Sequence, residues 1–163
     1  MIEHYLTQSL REFLNEKLCT IQLDTAYGMT RPPTIINGHL PPKRQNDDED
    51  FPFVIVRPIS ATSELEATEI KVDLIIGCYY SAEDEEGNII GEFDGHDICL
   101  NVMSRIRLAL CELPHRTLGR KYQLRMPITW SMPDEQMYPY WQLTMSTVWV
   151  INTPRNIDSL WGD

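Results

Sequence analysis

Glu69 and Lys71 stand two residues apart in EIKVD, with Asp50 upstream. Together they make the residue set of a metal-dependent nuclease, in which two carboxylates hold a divalent cation and a lysine assists the attacking water. The same spacing arises wherever a strand alternates charged and apolar residues, and an acidic chain repels the phosphate backbone that such an enzyme must hold. The pair is therefore read as a solvated strand face. His4, His39, His96 and His115 lie far apart, and none has a metal-type spacing to a cysteine or to another histidine, so His96 reads as an exposed residue. No GxSxG elbow offers a nucleophile, and the glycines of EEGNIIGEFDG lack GxGxxG spacing and sit among acids. Trp130, Trp141 and Trp149 could stack on bases, but their alternation places them with Leu143 and Met145 on an inward face, as core aromatics. No residue is assigned a catalytic, cofactor-binding or metal-binding role.

The elements that would position these residues follow from periodicity. Asp94 to Leu113 is the central helix: Asp94 suits an N-cap, Asp97 favours the helix dipole, and Pro114 stops propagation. Ile98, Cys99, Val102, Met103, Ile106, Ala109, Leu110 and Leu113 form its apolar face. Ile2, Leu6, Leu10, Leu14 and Leu18, joined by Tyr5 and Phe13, predict a first amphipathic helix. Phe51 to Arg57 is an apolar run closed by Pro58, read as a short strand. Thr68 to Tyr80 alternates, with Ile70, Val72, Leu74, Ile76, Cys78 and Tyr80 inward. Tyr122, Leu124, Met126, Ile128 and Trp130 share one strand face, and Trp141, Leu143, Met145, Trp149 and Ile151 share the next, linked through SMPDEQMYP.

The expected fold is α+β, a four-stranded and largely antiparallel sheet with helices on one face, in the order α-β-β-α-β-β. Residues 1–152 form one domain, with 153–163 as a C-terminal tail anchored only by Trp161. Asp24 to Asp50 reads as a long loop without regular structure. The 163 residues, 42% hydrophobic, suffice for a single core. A formal charge of −10 argues against general binding to nucleic acid. Cys19, Cys78, Cys99 and Cys111 contain no CxxC and read as reduced thiols, three of them in the core, which points to a reducing compartment. MIEHYLTQSLREFL has no signal-peptide core, and no apolar run reaches membrane-spanning length.

Two surfaces remain for contact with other molecules. The sheet face turned away from the helices would carry Glu69, Lys71 and Asp73 beside Arg125, Thr129, Gln142, Thr144 and Ser146. The loop carries both signs, Arg31, Lys43 and Arg44 ahead of Asp47, Asp48, Glu49 and Asp50, which suits salt-dependent docking.

FPFVIVRPISATSELEATEIKVDLIIGCYYS, GHDICLNVMSRIRLAL and YPYWQLTMSTVWVINTP, taken together, resemble the tail terminator or tail completion proteins of tailed bacteriophages and related prophages. The resemblance spans roughly residues 1 to 152 and assigns no functional residue position by position. It implies a non-enzymatic virion protein of the tail and neck, assembled in the bacterial cytoplasm. It further implies a homohexameric ring that caps the tail tube, stops tube polymerisation and meets a head completion or connector protein. DNA would pass through without being held, and no membrane is involved. Another neck component, such as a head completion protein, is the alternative within this class. A soluble enzyme using the polar sheet face, or a nuclease built on Asp50, Glu69 and Lys71, is the alternative outside it.

Overall fold

The computed structural model describes residues 2–40, 50–89 and 94–152. Two helices and six strands build an α+β core, joined by a small separate ribbon. Helix α1, Ile2–Leu18, forms on the four-residue spacing of Leu6, Leu10, Leu14 and Leu18, all of them buried. Each such burial contributes about 1.5–3 kcal/mol. Tyr5, expected in that stripe, points to solvent instead.

After α1, strands β1 (Leu23–Asp24) and β2 (Thr30–Arg31) pair into an antiparallel ribbon whose turn uses Gly28 at positive φ. Next come β3 (Thr34–Asn37), β4 (Phe53–Ser63) and β5 (Ala67–Tyr79), then α2 (Asp94–Cys111) and a 3₁₀ turn at Pro114–Arg116. The chain closes with β6 (Thr117–Leu118), β7 (Tyr122–Ser131) and β8 (Tyr140–Asn152). The main sheet has the order β3-β4-β5-β8-β7-β6, parallel between β3 and β4 and antiparallel elsewhere.

This corrects the expected four-stranded sheet and its α-β-β-α-β-β order. The two additional strands are short edge pieces. β3 lies inside the proline-bearing stretch expected to be an irregular loop, and its four residues carry too little alternation to separate it from its surroundings. Pairing with β4 decides its conformation, through Thr34↔Phe53 to Asn37↔Val56, and buries Ile35. β6 has two residues, below any periodic signal.

β4 also runs past Pro58, where the sequence reading ended it. Beyond Asn37↔Val56 it has no outer neighbour among the described residues, so a proline without an N–H sacrifices no ladder bond to them there. A register shift between Pro58 and Ser60 marks the accommodation.

The inward sheet face is laid out in cross-strand pairs: Ile70↔Trp149, Leu74↔Met145, Ile76↔Leu143 and Cys78↔Trp141. Val54 and Val56 extend it, and Leu10, Cys99, Val102, Ile106 and Leu110 of the two helices close over it in one core. α1 packs on β3 and β4, and α2 on β5 and β8. Gly95 lies against the Trp141 indole so closely that any Cβ would overlap the ring. The buried Trp149 N–H donates to Thr147 Oγ1 at 2.9 Å, and that hydroxyl donates to the Val72 carbonyl at 2.8 Å.

Trp130 departs from its core reading: it is 46% exposed, as is Met126 at 43%. It stays in phase opposite Met145 but lies on β7, beyond the strands that α2 covers. His96, read as exposed, is half-buried, with its ring 4.8 Å from that of Trp141. Two cysteines rather than three are buried, Cys78 and Cys99, and all four are free. A hydrogen bond to the Cys99 thiol, reinforced by burial, pushes the Cys78 thiol far up.

Candidate assembly surface

The sheet face opposite the helices is set by the alternate residues of β4, β5, β8 and β7. Register aligns Arg57 with Asp73, Ser146 and Thr129 in one row, Lys71 with Val148 and Arg125 in the next, and Glu69 with Val150 and Gln123 in a third. Ser146 Oγ donates to Asp73 Oδ1 at 3.0 Å, and Arg125 forms an ion pair with Glu69. Both members of that pair are well solvated, so it contributes at most about 1 kcal/mol. Lys71 is exposed between these rows. Glu69, Lys71 and Asp73 thus share one face, as the alternation predicts.

The rest of this face corrects the expectation of a uniformly polar surface. Toward the Tyr79 end of β5 it becomes a second apolar core, with Phe51, Phe53 and Ile55 buried under Ile36, Leu40, Ile75, Tyr79 and Tyr140. The Phe51 ring lies 4.7 Å from that of Phe53 and 4.7 Å from that of Tyr140. Gly77 of β5 is bare because Phe53 lies across it. The signal missed in the sequence was the run Phe51 to Val56, apolar on both parities, which marks a strand buried on both faces.

Asp50 does not join Glu69 and Lys71. It precedes Phe53, which pairs with Gly77, whereas Glu69 lies eight positions back along β5, roughly 26 Å away at the strand rise. The nuclease set is therefore not assembled. Arg31 serves the fold: its guanidinium donates to the Pro32 carbonyl at 3.1 Å, to Thr34 Oγ1 at 2.6 Å and to the Asp50 carbonyl at 3.3 Å. Burial lowers its pKa, with Asp50 opposing. Lys43, Arg44, Asp47, Asp48, Glu49 and Trp161 lie outside the described residues.

Among the described residues four clefts of about 330–400 Å³ reach the size of small-ligand sites, two of them beside α2 and over the second core. One, about 390 Å³, lies between the α1–β1 connection and α2 and is lined by Gln22, Asp24, Asn101 and Arg105. The other, about 330 Å³, lies over the second core and is lined by His39, Phe53, Arg57 and Gln142. Neither brings together a nucleophile, a base and an orienting group of the kind acyl transfer requires. Among the described residues, no group of three His, Cys, Asp or Glu side chains converges as metal ligands, and no helix is long and apolar enough to cross a membrane.

No protein-family model matches the chain, and no curated protein is significantly similar to it.

Among the described residues, β4 has an unpaired outer edge from Arg57 to Ser63, and β7 has one beyond Gln123, where β6 ends. Pro58 and Pro127 interrupt these two edges. Ile59, at the register shift within β4, and Leu65, at the tip of the β4–β5 hairpin, are exposed.

Proposed function

We propose that this chain is a structural protein of a tailed-phage particle: copies close the end of the tail tube as a ring, stop its growth and present the surface that meets the head. The observation that carries this reading is the open sheet. Among the described residues no helix covers its far face, and β4 and β7 run past their neighbours, leaving backbone donors and acceptors for another chain. Proline in each edge limits indiscriminate strand addition, which a protein built for one contact requires. The acidic balance suits a wall past which DNA must slide without sticking.

The test is polymerisation of the tail-tube protein encoded with this chain, followed by light scattering and electron microscopy. Adding the chain substoichiometrically should arrest growth, giving tubes that no longer lengthen when fresh tube protein is supplied. Tubes that keep lengthening, with the chain left in the supernatant after pelleting, would overturn the proposal.

A further inference from the structure

The cleft over the second core joins an apolar body to a polar head. Register lays Phe53, Ile55 and Arg57 along β4 on one sheet face, in rows with Gln142, Ile75 and Asp73 of the strands beside it. His39 and Leu40, which follow β3, line the outer side, and a space of about 330 Å³ lies between. A floor of apolar side chains with a few polar groups at one end is the lining of a site that orients a small molecule.

Arg57 stands where this face changes from apolar to polar, and its half-buried guanidinium is aimed. Nε donates to the Gly38 carbonyl at 2.9 Å, which holds the group toward the β3 side of its strand. Its cross-strand partner Asp73 lies on the other side, on β5, and accepts from Ser146 Oγ instead. Arg57 forms no ion pair with any described residue. Of the five N–H donors of an arginine, only the one at Nε is used among the described residues, which leaves the outer fork at the cleft. A half-buried cation with spare donors is costly until an anion meets it, and the planar fork matches a carboxylate.

Gln142 adds a second donor. Its backbone N–H and carbonyl are both engaged by the Gln136 side chain, while its own amide has no partner among the described residues. A formal charge of −10 disfavours anions over most of the surface, so retention must come from this fork and from apolar contact together.

We propose that this cleft binds a small monocarboxylate with an aromatic or branched apolar body. The carboxylate lies on the Arg57 fork and the Gln142 amide, and the body lies over Phe53, Ile55 and Ile75. A free small molecule suits the cleft better than a polypeptide segment. Val56 turns its carbonyl outward to the Gly38 N–H, so Pro58, two residues on, denies an added strand its donor at the mouth. This binding is separate from any role at a tail tube, and its test uses no tube protein.

The experiment is an NMR titration of the isotope-labelled full chain with benzoate, benzamide and inorganic phosphate. Benzamide keeps the ring without the charge, and phosphate keeps the charge without the ring. Benzoate should shift the backbone amides of Arg57, Ile75 and Gln142 to saturation with a Kd below about 10 mM. Benzamide and phosphate should each bind at least about tenfold more weakly. Arg57→Met should lose at least about tenfold in benzoate affinity and leave benzamide binding unchanged, which a merely structural role would not do. If that variant does not fold, Gln142→Leu on the exposed rim decides, and it should weaken benzoate but not benzamide. The proposal is overturned if the benzoate shifts do not saturate, if benzamide binds as well as benzoate, or if folded Arg57→Met binds benzoate as the parent does. Phosphate binding as tightly as benzoate would overturn the apolar half of it. An acetylated Phe-Asp dipeptide amide binding more tightly than benzoate would overturn it in favour of a polypeptide segment.

Discussion

Thr147 is a polar residue in the middle of the core, and its hydroxyl is what makes Trp149 tolerable there. Replacing it with valine keeps the shape but strands the Trp149 N–H and the Val72 carbonyl, which should cost about 1–3 kcal/mol in urea unfolding. Ile106→Ala should cost about 2–5 kcal/mol, since Ile106 is fully buried under α2. A loss under about 0.5 kcal/mol would mean that α2 does not seat on the sheet as described. Tyr80 gives a pH test. Its hydroxyl donates to Asp94 Oδ2 at 2.9 Å, and that bond raises its pKa above the ordinary 10.0. A raised folded pKa favours the protonated form, so this contribution is complete below pH 10 and is lost as pH rises through the folded value. Tyr80→Phe should melt lower than the parent at pH 7, and the gap should close above pH 10. Core residues such as Ile106 and Trp149 were legible in the sequence because burial follows period. Thr147 was not, because its partners are a neighbouring strand and a ring two residues away.

Among the elements, those long enough to show a period were readable: α1, α2, β5 and β8 lie close to where alternation or four-residue spacing places them. β3 and β6 were not, because two to four residues carry no period and their conformation comes from the strands they join. β3 changes one expectation outright. With Asp24 to Asp50 taken as a loop, removing residues 32–48 would leave the melting temperature nearly unchanged. The parallel pairing of β3 with β4 and the burial of Ile35 reverse this. The deletion exposes the β4 edge and opens both cores, so the shortened protein should lose its cooperative thermal transition by circular dichroism. A deletion that melts like the parent would show that β3 adds nothing to the sheet. Trp130 teaches a related lesson: parity assigns a face, and only the layer above that face decides burial.

Over the whole molecule, the sequence conveys the α+β class and the cover of helices on one sheet face, but not the six strands or the division of the far face into a polar half and a second apolar core. That division arises because β4 is apolar on both parities and meets Tyr79 and Tyr140 across the sheet, a contact between residues far apart in the chain. The polar set Glu69, Lys71 and Asp73 was legible. The central claim is that copies of this chain close the end of a tail tube. It is tested most directly by electron microscopy of preassembled tubes incubated with gold-labelled chain. The account predicts label at one end of each tube and none along its length. Label spread along the walls, or none bound at either end, would contradict it.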